Sequence, residues 1–139
     1  MKYPLATPQP ETEFFWSRLS QREFWLRLCD TCKRPHFYPR GICPFCGSTA
    51  LSWTLSSGYG RVHAFAIVER PPSRFFKDSV PYCPILAKLD EGVVVPSQLI
   101  QDDPSPDTVH VGLRVELNFK EVGVGRWIYL FSVVPPGKN

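Results

Sequence analysis

Two cysteine pairs constrain this chain more than any other feature of its 139 residues. The first reads Cys29-Asp30-Thr31-Cys32, and ten residues later comes Cys43-Pro44-Phe45-Cys46-Gly47. Two Cys-x-x-Cys pairs at this separation are the sequence form of a four-thiolate zinc ribbon, because a two-residue gap lets each backbone curl round one metal ion. Gly47 can take φ > 0 and help its turn aim N–H groups at sulfur. The first pair is followed by Lys33, so that turn must manage without glycine. Two disulfides, or an iron centre on the same ligands, are the alternatives that the spacing leaves open. A tetrahedral site filled by four protein ligands has no position left for water or substrate. The pattern therefore predicts structural Zn2+ on Cys29, Cys32, Cys43 and Cys46, a staple or docking platform before a catalyst. His36 lies between the pairs, but the cysteines already complete the tetrahedron. Lys33, Arg34 and Arg40 are read as offsetting the negative charge of a zinc tetrathiolate.

The rest of the composition suits a small β protein. Aromatic residues make up 14% of the chain and there are 15 prolines, which favours strands, turns and extended segments over long helices. The formal charge is +3; four thiolates and one zinc ion together lower it by two, to near +1. That is a weak electrostatic case for a nucleic-acid binder, which carries a clear basic excess on one face. No window approaches the roughly 18–20 apolar residues of a membrane span, and the start of the chain has no signal-like apolar region. The expectation is a soluble, cytoplasmic protein, where reduced thiols are available to metal. Cys83, the odd cysteine, sits in an apolar run and reads as a small buried residue.

Along the chain, the proline-rich first ten residues read as an extended arm, and residues 11–28 read as helical. Thr12 is a candidate cap, and Phe14, Phe15, Arg18, Leu19, Arg22, Trp25 and Leu26 fall near three-and-four spacing. A break near Ser20 would give two short helices, or a helix and then a strand entering Cys29. Beyond Cys46 the period changes to two. Leu51, Trp53 and Leu55 alternate with polar residues, and after the flexible Ser57-Gly58-Tyr59-Gly60 the alternation resumes. There Val62, Ala64, Ala66 and Val68 share one side, and His63, Phe65 and Ile67 the other. The glycines suit a bend or bulge where another backbone comes close. Residues 51–69 are read as one long bent strand. Residues 70–81 form a loop. Two hairpins follow, one turning at Asp90-Glu91-Gly92 and one at Val122-Gly123-Val124-Gly125. Pro135-Pro136 ends the sheet. Five strands with a long bent first one predict an OB-type barrel. The predicted organisation is an N-terminal arm and helices over 1–28, a rubredoxin-like zinc ribbon over 29–50, and a five-stranded OB-fold barrel over 51–139.

Taken in this order, the motifs resemble the zinc-ribbon and OB-fold proteins of domain-of-unknown-function family 35, the acyl-CoA-associated group. The resemblance rests on the arm ending at Phe14-Phe15-Trp16, the four cysteines, and Phe37-Tyr38-Pro39-Arg40 ahead of the second pair. It continues through the Ser57–Gly60 bend, Pro81-Tyr82, the Leu89-Asp90-Glu91-Gly92 turn and Val111-Gly112-Leu113. Lys33 and Tyr38 depart from it, standing where glycine and a second proline are common. The resemblance implies a non-catalytic accessory subunit of a thiolase-superfamily enzyme. Such partners include lipid-transfer-protein-like thiolases, retro-aldolases (lyases) that shorten steroid side chains as CoA thioesters, and acyltransferase or condensing assemblies. A heterotetramer is expected, with acyl-CoA bound through the complex.

The residues agree on the absence of a catalytic motif. There is no phosphate-cradling glycine loop, no paired-carboxylate motif, and the three histidines are scattered. Arg74, Phe75, Phe76 and Lys77, basic and aromatic by turns, are the candidate CoA contact. Arg74 and Lys77 would meet phosphates, with the rings over adenine or the pantetheine arm. Phe14, Phe15 and Trp16 are the candidate partner contact. The competing reading is a single-stranded nucleic-acid module, since ribbons and OB folds also occur in that class.

Overall fold

The computed structural model describes residues 7, 9–74, 80–102 and 104–135. It is mainly β, with one short helix, a three-stranded sheet around the cysteines, and a closed five-stranded barrel. Helix α1 spans Glu13–Leu19 and buries Phe15 and Leu19, four residues apart on one face. Thr12 precedes it without a side-chain cap; its buried hydroxyl instead donates to the Gln9 carbonyl at 3.2 Å.

The helix does not reach Leu28. Arg22 takes φ 59°, the left-handed region, and turns the chain out of α1. Residues Trp25–Cys29 then form strand β1. The three-and-four spacing across Arg22, Trp25 and Leu26 is a coincidence of composition. What decides the conformation is pairing: β1 runs antiparallel to β3, Leu51–Leu55, over five residue pairs from Trp25↔Leu55 to Cys29↔Leu51. On its other side lies β2, Pro35–His36.

Strand β3 therefore belongs to the cysteine sheet and not to the barrel, so the single long bent strand expected over 51–69 is two strands in two sheets. The sheet flanks both ends of the 29–50 segment. The barrel begins with β4, Tyr59–Phe65, and continues through β5, Cys83–Leu89, β6, Val94–Leu99, β7, Arg114–Gly123, and β8, Arg126–Val133. Its order is β4-β5-β6-β8-β7, closed by β7 on β4, with β6 and β8 paired in parallel at Leu99↔Phe131. This is the closed, five-stranded OB arrangement.

Gly60 makes the closure possible. It faces Leu89 on one side and Val115 on the other. A Cβ there would lie 2.6 Å from the Lys88 carbonyl oxygen, so only glycine lets the backbones approach. The facing of β4 differs from simple alternation. A register shift between Val62 and Ala64 reverses it, so Val62 is buried, Ala64 and Ala66 are exposed, and Phe65 and Ile67 pack on the core.

The core runs continuously from α1 into the barrel. Phe15 and Phe24 meet Phe37 of the ribbon loop and Tyr129 of β8 through ring centroids 4.8–6.2 Å apart. The hairpin turn after β5 adds a polar clasp. Both oxygens of Glu91 accept hydrogen bonds, one from the Ser56 hydroxyl at 2.9 Å and one from the Ser57 N–H at 2.8 Å. Beside it, Arg114 grips Asp90 bidentately at 2.6 and 2.8 Å. Helix, ribbon sheet and barrel thus share apolar and polar contacts at one junction.

Candidate metal centre and contact surfaces

The two cysteine turns fold alike. The Lys33 N–H donates to the Cys29 carbonyl at 2.8 Å, and the Gly47 N–H donates to the Cys43 carbonyl at 3.0 Å. The residue just after each pair is left-handed, Lys33 at φ 64° and Gly47 at φ 78°. Lysine thus adopts at the first turn the conformation that glycine supplies at the second, with a cost of roughly 1–2 kcal/mol for an L residue. The N–H of Cys32 lies 3.4 Å from Cys29 Sγ, and the N–H of Phe45 lies 3.4 Å from Cys43 Sγ.

These turns converge the four sulfurs. Cys29 Sγ is 3.5 Å from Cys46 Sγ, Cys32 Sγ is 3.7 Å from Cys43 Sγ, and all four lie within 4.8 Å of one another. A tetrahedron with Zn–S bonds of about 2.3 Å has sulfurs about 3.8 Å apart, so the donor set fits zinc as it stands. None of these distances is that of a disulfide, and all five cysteines are free. As thiols the four would share protons unevenly. The N–H of Cys32, with that of Thr31 and the neighbouring thiols, pulls Cys29 down to about 6. Cys46, although it receives the Ser48 N–H, is pushed up to about 11 by its contact with Cys29, burial and Cys43. One thiolate beside one reluctant thiol is the state that zinc resolves, by deprotonating every ligand. When bound, zinc supplies a closed structural cross-link between the two turns. His36 is outside the cluster: among the described residues only the four cysteines group around one point.

The other predicted contacts fare differently. Phe15 is fully buried and packs against Trp16, Phe24, Phe37, Tyr38 and Tyr129, so it is a core residue and not a partner contact. A helix sends three consecutive side chains in three directions, about 100° apart, and only one of the three can face the core here. Phe14 is half-buried against Trp25 and Trp53, with the Arg18 guanidinium 4.9 Å from its ring centre. Trp16, also half-buried, donates from Nε1 to the Tyr38 hydroxyl at 3.0 Å. Arg74 is exposed. Phe75, Phe76 and Lys77 lie outside the described residues, as do the first six residues of the arm and Pro136. Cys83 is buried, and burial pushes its thiol up. The sequence reading missed Glu91 and Asp90 as clasp residues; the one available signal was two acids placed together in a tight turn.

Known proteins show the same arrangement. The rubredoxin-like zinc ribbon domain of ChsH2 matches residues 16–52, and the C-terminal OB-fold domain of ChsH2 matches residues 53–120. A DUF35 domain-containing scaffold protein of Methanothermobacter thermautotrophicus is 34% identical over 114 residues, covering 81% of this chain and 84% of that protein. The chain belongs to the DUF35 family. A second DUF35 domain-containing scaffold protein, from Pyrococcus furiosus, is 36% identical over 103 residues, covering 73% of this chain and 74% of its own. Among solved structures, a chain of the Ltp2-ChsH2(DUF35) aldolase superposes with a TM-score of 0.79 at 25% identity, covering 92% of this chain and 98% of that one. A DUF35 protein of unknown function from Sulfolobus solfataricus superposes with a TM-score of 0.64 at 16% identity over 90% of this chain and 86% of its own, which speaks for the fold. The ribbon match and the sulfur geometry together make this DUF35 chain's four cysteines a structural zinc centre. Among the described residues no helix is long and apolar enough to cross a membrane.

Proposed function

We propose that this DUF35 protein is a non-catalytic accessory subunit that binds and supports a thiolase-superfamily enzyme acting on acyl-CoA. The observation that carries the reading is the match, over nearly its whole length, to a chain of the Ltp2-ChsH2(DUF35) aldolase. The scaffold naming of two archaeal relatives points the same way. The chemistry of the metal site agrees: four thiolates around zinc leave no position for substrate. The finer reading, from the family resemblance, is a retro-aldolase or thiolase of steroid or lipid side-chain breakdown in a two-plus-two assembly. The exposed loop at Arg74 then helps hold the CoA portion, and Phe14 and Trp16 border the partner surface.

The nucleic-acid reading loses ground for a specific reason. Stacking needs presented rings, and the exposed aromatics among the described residues are Tyr38 and Phe45, both in the ribbon segment. The test of the proposal is affinity purification of the tagged chain from its own cells, followed by identification of what co-elutes in stoichiometric amount. A thiolase-fold enzyme is expected. Recovery of the chain alone, or bound to single-stranded nucleic acid in a salt-sensitive manner, overturns the reading.

A further inference from the structure

A groove of about 400 Å³ separates the zinc ribbon from the turn that joins β5 to β6. Its walls are polar and apolar in nearly equal measure, the apolar part coming from Phe37, Pro44 and Phe45 of the ribbon segment and Val93 and Val94 beyond the turn. Two guanidinium groups, Arg34 and Arg40, stand in the same walls. Neither makes an ion pair among the described residues. Arg34 is held with its guanidinium carbon 3.5 Å from the centre of the Phe45 ring, which fixes one face and leaves the N–H edge for a ligand. The remaining charged wall residue is Glu91, and both of its oxygens are already taken by Ser56 and Ser57.

His36 completes the wall. It is 3% exposed, and neither ring nitrogen has a hydrogen-bond partner. A buried polar group without a partner is costly, and native proteins rarely keep one without a reason. Burial, with Arg27 and Arg40 adding to it, holds His36 below its ordinary pKa, so the ring enters as a neutral donor and acceptor. Two guanidinium groups without an ion pair among the described residues, an imidazole without a hydrogen bond there, and neighbouring apolar side chains form a pattern that a hydrocarbon alone would not require.

We propose that this groove binds an oxyanion, a phosphate or a carboxylate, carried on a molecule with an apolar part. The oxyanion sits at the Arg34 and Arg40 edges, and the apolar part lies on Phe45 and Val94. Charge-assisted hydrogen bonds from guanidinium groups suit both anions. The occupant is a small molecule, because a volume of about 400 Å³ lies within the range of small-ligand pockets.

The experiment follows amide and arginine side-chain resonances of the zinc-loaded, 15N-labelled full chain at constant ionic strength. Phenyl phosphate and phenylacetate are titrated separately, with benzyl alcohol as the neutral control. A saturable shift confined to residues 34–40, 44–45 and 91–94 is expected with at least one anion. Preference for phenyl phosphate assigns the site to a phosphorylated small molecule; preference for phenylacetate assigns it to a small carboxylate. Arg34→Gln and Arg40→Gln should each weaken binding by about tenfold, the loss of one charge-assisted hydrogen bond. Val94→Glu leaves both arginines in place but brings a like charge to the rim, and should abolish binding while zinc content and the remaining spectrum stay unchanged. Shifts that fail to saturate, that benzyl alcohol reproduces, or that persist undiminished in the three variants overturn the proposal.

Discussion

Replacing Phe15 by alanine separates a core role from a partner-contact role. The side chain is fully buried, and its ring centre lies 5.2–6.2 Å from those of Trp16, Phe24, Phe37, Tyr38 and Tyr129. Those neighbours come from the helix, the chain after it, the ribbon loop and the barrel, so the cavity cannot close by moving one element. Truncating a buried phenylalanine costs about 3–5 kcal/mol, and several edge-on ring contacts put this site in the upper half of that range. For a chain of this size each kcal/mol lowers Tm by about 4 °C, so Phe15→Ala should melt roughly 15–20 °C below the parent. Phe14→Ala, at a half-buried position, should lose only about 1–2 kcal/mol and roughly 4–8 °C. The assay is thermal unfolding followed by far-ultraviolet circular dichroism, with zinc content measured for each variant. A Phe15→Ala protein melting within about 4 °C of the parent would refute the packing argument and return Phe15 to the surface.

Four further outcomes follow from the geometry. Gly60→Ala places a methyl group against the Lys88 carbonyl and should destabilise the barrel by roughly 1–3 kcal/mol in urea unfolding. Lys33→Gly relieves a left-handed lysine at the expense of a floppier unfolded chain, so it should stabilise the ribbon by up to about 1 kcal/mol, and Gly47→Ala should do the reverse. Hydrogen bonding from Arg114 holds the Asp90 carboxyl below its usual range; its contribution is therefore present at neutral pH and fades as pH falls through that lowered pKa. On an exposed pair this is worth less than about 1 kcal/mol, so Asp90→Asn should differ from the parent by that amount at pH 7 and converge with it in acid. Zinc removal by a chelator, or Cys43→Ser, should release the ribbon strands from protection in hydrogen exchange and impair assembly with a partner.

What was legible in the sequence was local. The Cys-x-x-Cys pairs, the Asp90-Glu91-Gly92 and Val122–Gly125 turns and the alternation through Leu117 and Phe119 each depend on residues close in the chain, and the fold follows them. The errors share a different origin. Residues Trp25–Cys29 look helical until Leu51–Leu55 supplies the pairing partner, and that partner is more than twenty residues away. The bulge after Val62 reverses the facing of Phe65 without leaving a glycine or proline to mark it. Phe15 resembles its exposed-looking neighbours in composition and differs only in helical phase. The groove could not be read at all, since its walls come from residues 34–45 and 91–94, which only the fold brings together.

The central claim is that this chain enables a reaction that it does not perform. The direct measurement is acyl-CoA lyase or thiolase turnover by the purified partner enzyme, by this chain, and by the two mixed. The account predicts turnover in the mixture, none from this chain alone, and a partner that is weakly active or insoluble without it. Turnover by this chain alone, or a partner whose activity and solubility are the same in its absence, would contradict it.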